Sequence, residues 1–173
     1  MAMFSGERVV LQPLAGNDHP LLRRWLADRE LRKYAGRWRP SPRSGWRDPR
    51  RDEAFLILLR VGNRPIGFCG LFGISFDEGT AELGIVLGER DCWGQGYGPE
   101  AVRLLLDHAY RNRGLRQISL CVHATNRRAI RAYEKVGFVP ECRLRIGRWL
   151  FGRGVEMIVM SSVAPAEQKE IRR

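Results

Sequence analysis

The alternation of Val9 and Leu11 within RVVLQPL predicts an opening strand that Pro13 closes. Asn17 or Asp18 then offers an N-cap to a helix that carries Leu21, Leu22, Trp25 and Leu26. From Gly36 to Asp52 the text GRWRPSPRSGWRDPRRD holds three prolines and two glycines, which predicts a loop or short broken helices. AFLILLRV, the turn GNRP and IGFCGLFGI read as two strands at hairpin spacing, and DEGT turns into a third, AELGIVL. Together they predict a three-strand antiparallel meander. Past Val86 the period changes: LGERDCWGQGYGPEA is a glycine-rich connection, and EAVRLLLDHAYRNR places Ala101, Leu104, Leu105 and Ala109 at helical intervals. Gly114 supplies a C-cap, RQISLCV the next strand, and Asn126 the start of a helix RRAIRAYEKV that Gly137 stops. FVPECRLRI and VEMIVMSSV close the chain as two strands joined by GRWLFGRG, ahead of a tail that is expected to fray from about residue 164.

A length of 173 residues suits a single domain spanning 1–173, and 44% hydrophobic with 28% charged residues is a globular composition. The longest apolar run, Ala54 to Leu59, is far short of the roughly 20 residues of a membrane-spanning helix, and MAMFSGERVV lacks a signal-peptide core. A cytoplasmic protein with no membrane partner is expected. Cys69, Cys92, Cys121 and Cys142 form no C-x-x-C pair and have no histidines at zinc spacing, so neither a metal site nor a disulfide is expected. Charge is less ordinary. The net charge is +11, and the stretch from Arg23 to Arg51 alone holds ten arginines, one lysine and three acids, a net +8. A nucleic-acid or ribosomal surface, an anionic small ligand and a solvated basic face all fit this excess.

The strongest chemical signal is WGQGYGPEA, from Trp93 to Ala101. Glycines at 94, 96 and 98 let the backbone approach a ligand closely and turn several N–H groups one way. The helix beginning near Pro99 adds unsatisfied N–H groups and a positive dipole end, an arrangement that suits a pyrophosphate. It is not a Walker loop, since G-K-[ST] is missing. It is also a poor dinucleotide fingerprint, because the strand before it follows a meander and no acid stands in the expected place.

The segment AELGIVLGERDCWGQGYGPEAVRLLLDHAY, followed by VHATNRRAIRAYEKVGF, resembles the two cofactor motifs of the GNAT superfamily of acyl-CoA-dependent N-acyltransferases. The likeness runs over nearly the whole chain. Its nearest subgroup holds the ribosomal-protein N-terminal acetyltransferases, with spermidine and aminoglycoside acetyltransferases close by. The resemblance implies an α/β fold: a mixed, mostly antiparallel twisted sheet of about seven strands flanked by helices, with a splayed central parallel pair. It implies acetyl-CoA as acyl donor and no metal, an amine acceptor left unnamed, a ribosomal protein among the partners, and a homodimer.

Carried over residue by residue, the backbone N–H groups of Gly94, Gln95, Gly96, Tyr97 and Gly98 would hold the CoA pyrophosphate. Trp93 stands where the family pattern has Gln or Arg. Ile85, Val86 and Leu87 would pair by backbone with the pantetheine arm, as an added strand does. Asn126 resembles the residue that hydrogen-bonds that arm, and Tyr133 the tyrosine that protonates the leaving thiolate. A neutral amine must attack the thioester, so a base is needed, and Glu82 matches a position where some members carry one. His123, just past SLCV, is the second candidate base. The competing reading is a non-catalytic module on the same fold that senses acyl-CoA or docks on RNA or the ribosome. The net-positive stretch 36–53 ranks a protein N-terminus or a less cationic small amine above spermidine as acceptor.

Overall fold

The computed structural model describes residues 3–34, 51–146 and 154–165. The glycine- and proline-rich stretch 36–52 lies outside them up to residue 50, as do most of the GRWLFGRG connection and of the C-terminal tail. The chain runs β1 (Phe4–Ser5), β2 (Val9–Pro13), α1 (His19–Ala27), α2 (Arg29–Tyr34), β3 (Glu53–Leu59), β4 (Pro65–Ser75), β5 (Thr80–Leu87), α3 (Tyr97–Asp107), β6 (Gln117–His123), α4 (Arg127–Glu134), β7 (Val139–Ile146) and β8 (Val155–Val163). All strands join one eight-stranded sheet in the order β1-β2-β3-β4-β5-β6-β8-β7. The meander is β3-β4-β5, as its turn spacing predicts. The strand beyond the seven expected is the two-residue β1, too short to give a periodic signal.

Strand alternation builds two cores, one on each face of the sheet. Val9, Leu11, Phe55, Ile57, Leu71 and Leu83 point to the α3 side and meet Ala101, Val102 and Leu105 of that helix. Val10, Leu56, Leu58, Phe68 and Val86 point the other way, where Leu22 and Trp25 of α1 and Leu31 of α2 cover them. Fully buried side chains such as Leu11, Phe55 and Leu105 each contribute roughly 1.5–3 kcal/mol by leaving water. Trp25 lies so close to the chain leaving β5 that a Cβ on Gly88 would come within 2.2 Å of its ring, so this position requires glycine. The indole stacks on Phe68 at 6.4 Å.

One pairing differs from the rest. β5 and β6 are the parallel pair, and they join only through Thr80–Gln117, Ala81–Ile118 and Glu82–Ser119. Beyond that point β5 follows β4 as far as Leu87, β6 follows β8 as far as His123, and the two strands part.

α3 ends in a wider π-helical turn, His108–Asn112, that swings His108 into the core. His108 Nε2 lies 2.7 Å from Glu53 Oε2, and Arg113 Nη2 forms an ion pair with Glu53 Oε1 at 2.7 Å. Burial pushes the Glu53 carboxyl up, but the His108 hydrogen bond and the Arg113 charge outweigh it and hold the group below its ordinary value of 4.5. A carboxylate depressed on folding contributes stability that is complete above its unfolded value and is lost as pH falls through the folded one. Glu53→Gln is therefore expected to lower the unfolding free energy at neutral pH by about 2 kcal/mol. It should also flatten the acid limb of stability against pH, and urea unfolding from neutral pH down to about pH 3 measures both effects.

Candidate functional site

Where β5 and β6 part, a cavity of about 340 Å³ opens between them. Leu83 to Leu87 form one wall and Leu120 to Val122 the other. Because the strands no longer pair with each other here, each turns an unpaired backbone edge into the cleft. An extended arm can lie along such an edge as a further strand would. Ile85, Val86 and Leu87 lie on this wall.

The mouth is made by the glycine loop and the N-terminus of α3. Gly94 and Gly96 have φ of +75° and +86°, the left-handed region that favours glycine, and Gly96 is the N-cap residue of α3. With no side-chain cap on that helix, its first N–H groups face the mouth without intrahelical partners. Gly94, Gly96 and Gly98 all line the cavity. Gln95 and Tyr97 do not: Gln95 Nε2 donates to the Asp91 carbonyl, and the half-buried Tyr97 ring packs against the α3-side core with Arg8 5.1 Å from its centre. Only their backbone N–H groups are candidates for the cradle.

The loop is held from both sides. Glu100, in the first turn of α3, accepts from the backbone N–H groups of Arg8 at 2.7 Å and Val9 at 3.1 Å, and pairs with the Arg8 guanidinium at 3.1 Å. Burial pushes its carboxyl up, while those backbone donors and Arg8 hold it below the ordinary value. Arg8 Nη1 also donates to the Gln95 carbonyl at 2.9 Å, which ties the loop to the start of β2. On the other side Arg64 grips Asp91 with two bonds of 2.7 and 2.9 Å, and Arg90 bonds Asp28 and Glu30 at 2.8 Å each. Glu89 accepts from Trp25 Nε1 at 2.8 Å and pairs with Arg24. The turn before the loop is thereby pinned to α1 and α2, and Leu31 of α2 reaches the cavity.

α4 forms the lid of the cleft. Asn126 caps it, its side-chain oxygen accepting from the Ala129 N–H at 3.2 Å, and the same residue lines the cavity. Tyr133, in a T-shaped contact with Phe138 at 5.8 Å, also lines it, and burial pushes its phenol up to about 12. At neutral pH the hydroxyl keeps its proton and can donate it. Glu82 stands on the last paired rung, half-buried between Phe72 and Ser119; the cavity wall begins at the next residue, Leu83. His123 ends β6 with Nδ1 2.7 Å from the Thr125 hydroxyl, and it does not line the cavity.

Several lining residues were not singled out in the sequence: Cys121 of β6, Leu31, and the cations Arg128, Arg131 and Lys135 of α4. The three cations were detectable, because intervals of three and four place them on one helix face. No acid lines the cavity among the described residues. Trp93 does, with its Nε1–H donated to the Leu87 carbonyl at 2.9 Å and the Arg128 guanidinium 3.9 Å above its ring. Among the described residues no cluster of His, Cys, Asp and Glu could hold a metal, and no helix is long and apolar enough to cross a membrane.

Residues 8–139 match the acetyltransferase (GNAT) domain family. An uncharacterized N-acetyltransferase p20 of Bacillus licheniformis is 28% identical over 165 residues, covering 90% of this chain and 92% of its own. An N-acetyltransferase 9-like protein of Caenorhabditis briggsae is 26% identical over 148 residues, covering 76% and 75%. Among solved structures, the spermidine N-acetyltransferase from Vibrio cholerae in complex with CoA and spermine superimposes with a TM-score of 0.75 at 21% identity, covering 91% of this chain and 96% of that one. At that identity the likeness speaks for the fold.

The backbone geometry of the loop makes a prediction independent of any ligand. Gly94→Ala meets open space and is expected to cost only the left-handed backbone strain, about 1–2 kcal/mol. Gly96→Ala should cost more, because its Cβ would lie 2.9 Å from Arg8 Nη2 and push on the Arg8–Glu100 tie. Thermal unfolding should rank wild type above Gly94→Ala, and Gly94→Ala above Gly96→Ala.

Proposed function

The chain belongs to the GNAT acetyltransferase family, and from that premise we propose that it moves the acetyl group of acetyl-CoA to a primary amine by direct attack within a ternary complex. The observation that carries the reading is the cleft between β5 and β6, which combines an unpaired strand edge, a glycine cradle at its mouth and a protonated phenol on its lid.

The residues divide the work as follows. The backbone N–H groups from Gly94 to Gly98 and the first turn of α3 receive the pyrophosphate, while Ile85 to Leu87 and Asn126 receive the pantetheine arm. Acetyl-CoA brings the activated carbonyl. The acceptor amine forms the new C–N bond as the C–S bond breaks, and Tyr133 gives its proton to the departing sulfur. Glu82, one residue ahead of the cavity wall, takes the amine proton through a water relay. Burial keeps this phenol protonated over the range in which the amine becomes neutral.

The acceptor that fits best is a protein N-terminus or a small amine of low charge. The sequence from 36 to 53 carries six arginines against three acids, a poor setting for a polycation. A ribosomal protein presenting its N-terminus is one such acceptor.

Two experiments test this. Initial rates with acetyl-CoA are measured across N-terminal peptides, small monoamines and spermidine; efficient spermidine acetylation would overturn the acceptor ranking, and binding of acetyl-CoA without transfer to any amine would favour a sensing module. With a working acceptor, Tyr133→Phe is expected to lower kcat by about 100-fold or more while the KM for acetyl-CoA changes less than about threefold. The wild-type rate should climb with pH as the amine deprotonates and show no descending limb below about pH 10, since Tyr133 still holds its proton there. Glu82→Gln should depress the rate most at the acid end of that profile.

A further inference from the structure

Arg128 is placed unlike the other arginines around the glycine loop. Arg8 is tied to Glu100, Arg64 to Asp91, and Arg90 to Asp28 and Glu30, so each of those charges is already answered. Among the described residues no carboxylate pairs with Arg128. Its contact is the face of Trp93, 3.9 Å from the guanidinium carbon, and that indole is fixed in turn by its bond to the Leu87 carbonyl. Stacking occupies the flat face of a guanidinium and leaves its in-plane N–H donors uncommitted. The residue next to Trp93 is Gly94, and both line the cavity together with Arg128.

We propose that Arg128, held flat on Trp93, is the side-chain cation for the pyrophosphate that the glycine loop cradles. This rests on acetyl-CoA being the ligand of the cleft. The loop and the α3 N-terminus offer N–H dipoles but no full charge, and two linked phosphates carry two negative charges. A guanidinium presented edge-on beside the loop supplies the missing charge and two parallel donors. Because the indole orients it in advance, little side-chain freedom is lost on binding. Trp93 is then a positioning residue, acting through Arg128.

The test is calorimetric titration of CoA and of dephospho-CoA, which lacks the 3′-phosphate but keeps the pyrophosphate, into wild type, Arg128→Ala and Trp93→Leu. Arg128→Ala is expected to weaken both ligands by about tenfold and to make the salt dependence of binding shallower. Trp93→Leu should weaken both ligands by a smaller factor, since the charge remains but is no longer held. Unchanged affinity in Arg128→Ala would overturn the proposal while leaving the acetyltransferase reading intact. A loss confined to CoA would also overturn it, moving Arg128 to the 3′-phosphate. Failure of wild type to bind either ligand would sink the proposal together with the reading beneath it. Arg128 is exposed, and thermal unfolding of each variant confirms that its fold is kept.

Discussion

The parting of β5 from β6 after three paired positions is the constraint on which the site depends. A sheet pairs its strands wherever it can, so a gap in the middle persists only if each strand is held more firmly by its outer neighbour. Here β4 pairs with β5 from Gly67–Leu87 to Ser75–Thr80, and β8 pairs with β6 over the full span from Gln117–Val163 to His123–Met157. The antiparallel ladders on either side are long and the parallel one is short. The cost is two rows of backbone groups without a partner strand in the middle of the protein, a cost that a strand-like ligand can offset. The connection from β5 to β6 must then cross over the gap, which places the glycine loop and α3 at one end of it.

A gap of this kind needs a rigid frame, and the ion pairs around the loop provide one. Glu89, Arg90 and Asp91 are consecutive, and all three are anchored to other elements: Glu89 to Trp25 and Arg24, Arg90 to Asp28 and Glu30, Asp91 to Arg64. Most of these pairs are solvent-exposed, and each alone would add little stability. Their value is positional. They fix the turn that enters the glycine loop against α1 and α2, while Glu100 and Arg8 fix its exit against β2. Arranged in this way, the cofactor end of the cleft and the α2 wall that carries Leu31 cannot move independently without breaking several bonds at once.

What the sequence reveals depends on how local each signal is. The meander, the glycine loop, the Asn126 cap and the α4 stop at Gly137 are written within a few neighbouring residues, and each is found where its spacing puts it. The resemblance of two adjoining motifs adds the splayed pair, which no periodicity reveals. Side-chain direction within the loop is less legible. Gln95 and Tyr97 belong to the motif, yet neither lines the cavity, because the Asp91 carbonyl holds Gln95 and the Tyr97 ring packs against the α3-side core. Long-range partnerships are invisible in one sequence: Glu53 and His108 are 55 positions apart, and Arg8 and Glu100 are 92. His108 in particular has no local pattern, since it enters the core through a π-helical turn that widens an otherwise regular helix.

The lid shows how packing and chemistry share one set of atoms. Tyr133 sits in α4 with its ring against Phe138, an arrangement any core would use. The same burial that stabilises the ring denies water to a phenolate, and this keeps the hydroxyl protonated well above neutral pH. At the N-terminal end of the same helix, Arg128 faces an indole and pairs with no carboxylate among the described residues. One short helix therefore presents a protonated phenol to the cleft together with Arg128, which has no carboxylate partner among the described residues. A proton donor and a cation on one helix suit a substrate that carries an uncharged thioester at its reacting end and a diphosphate farther along its length.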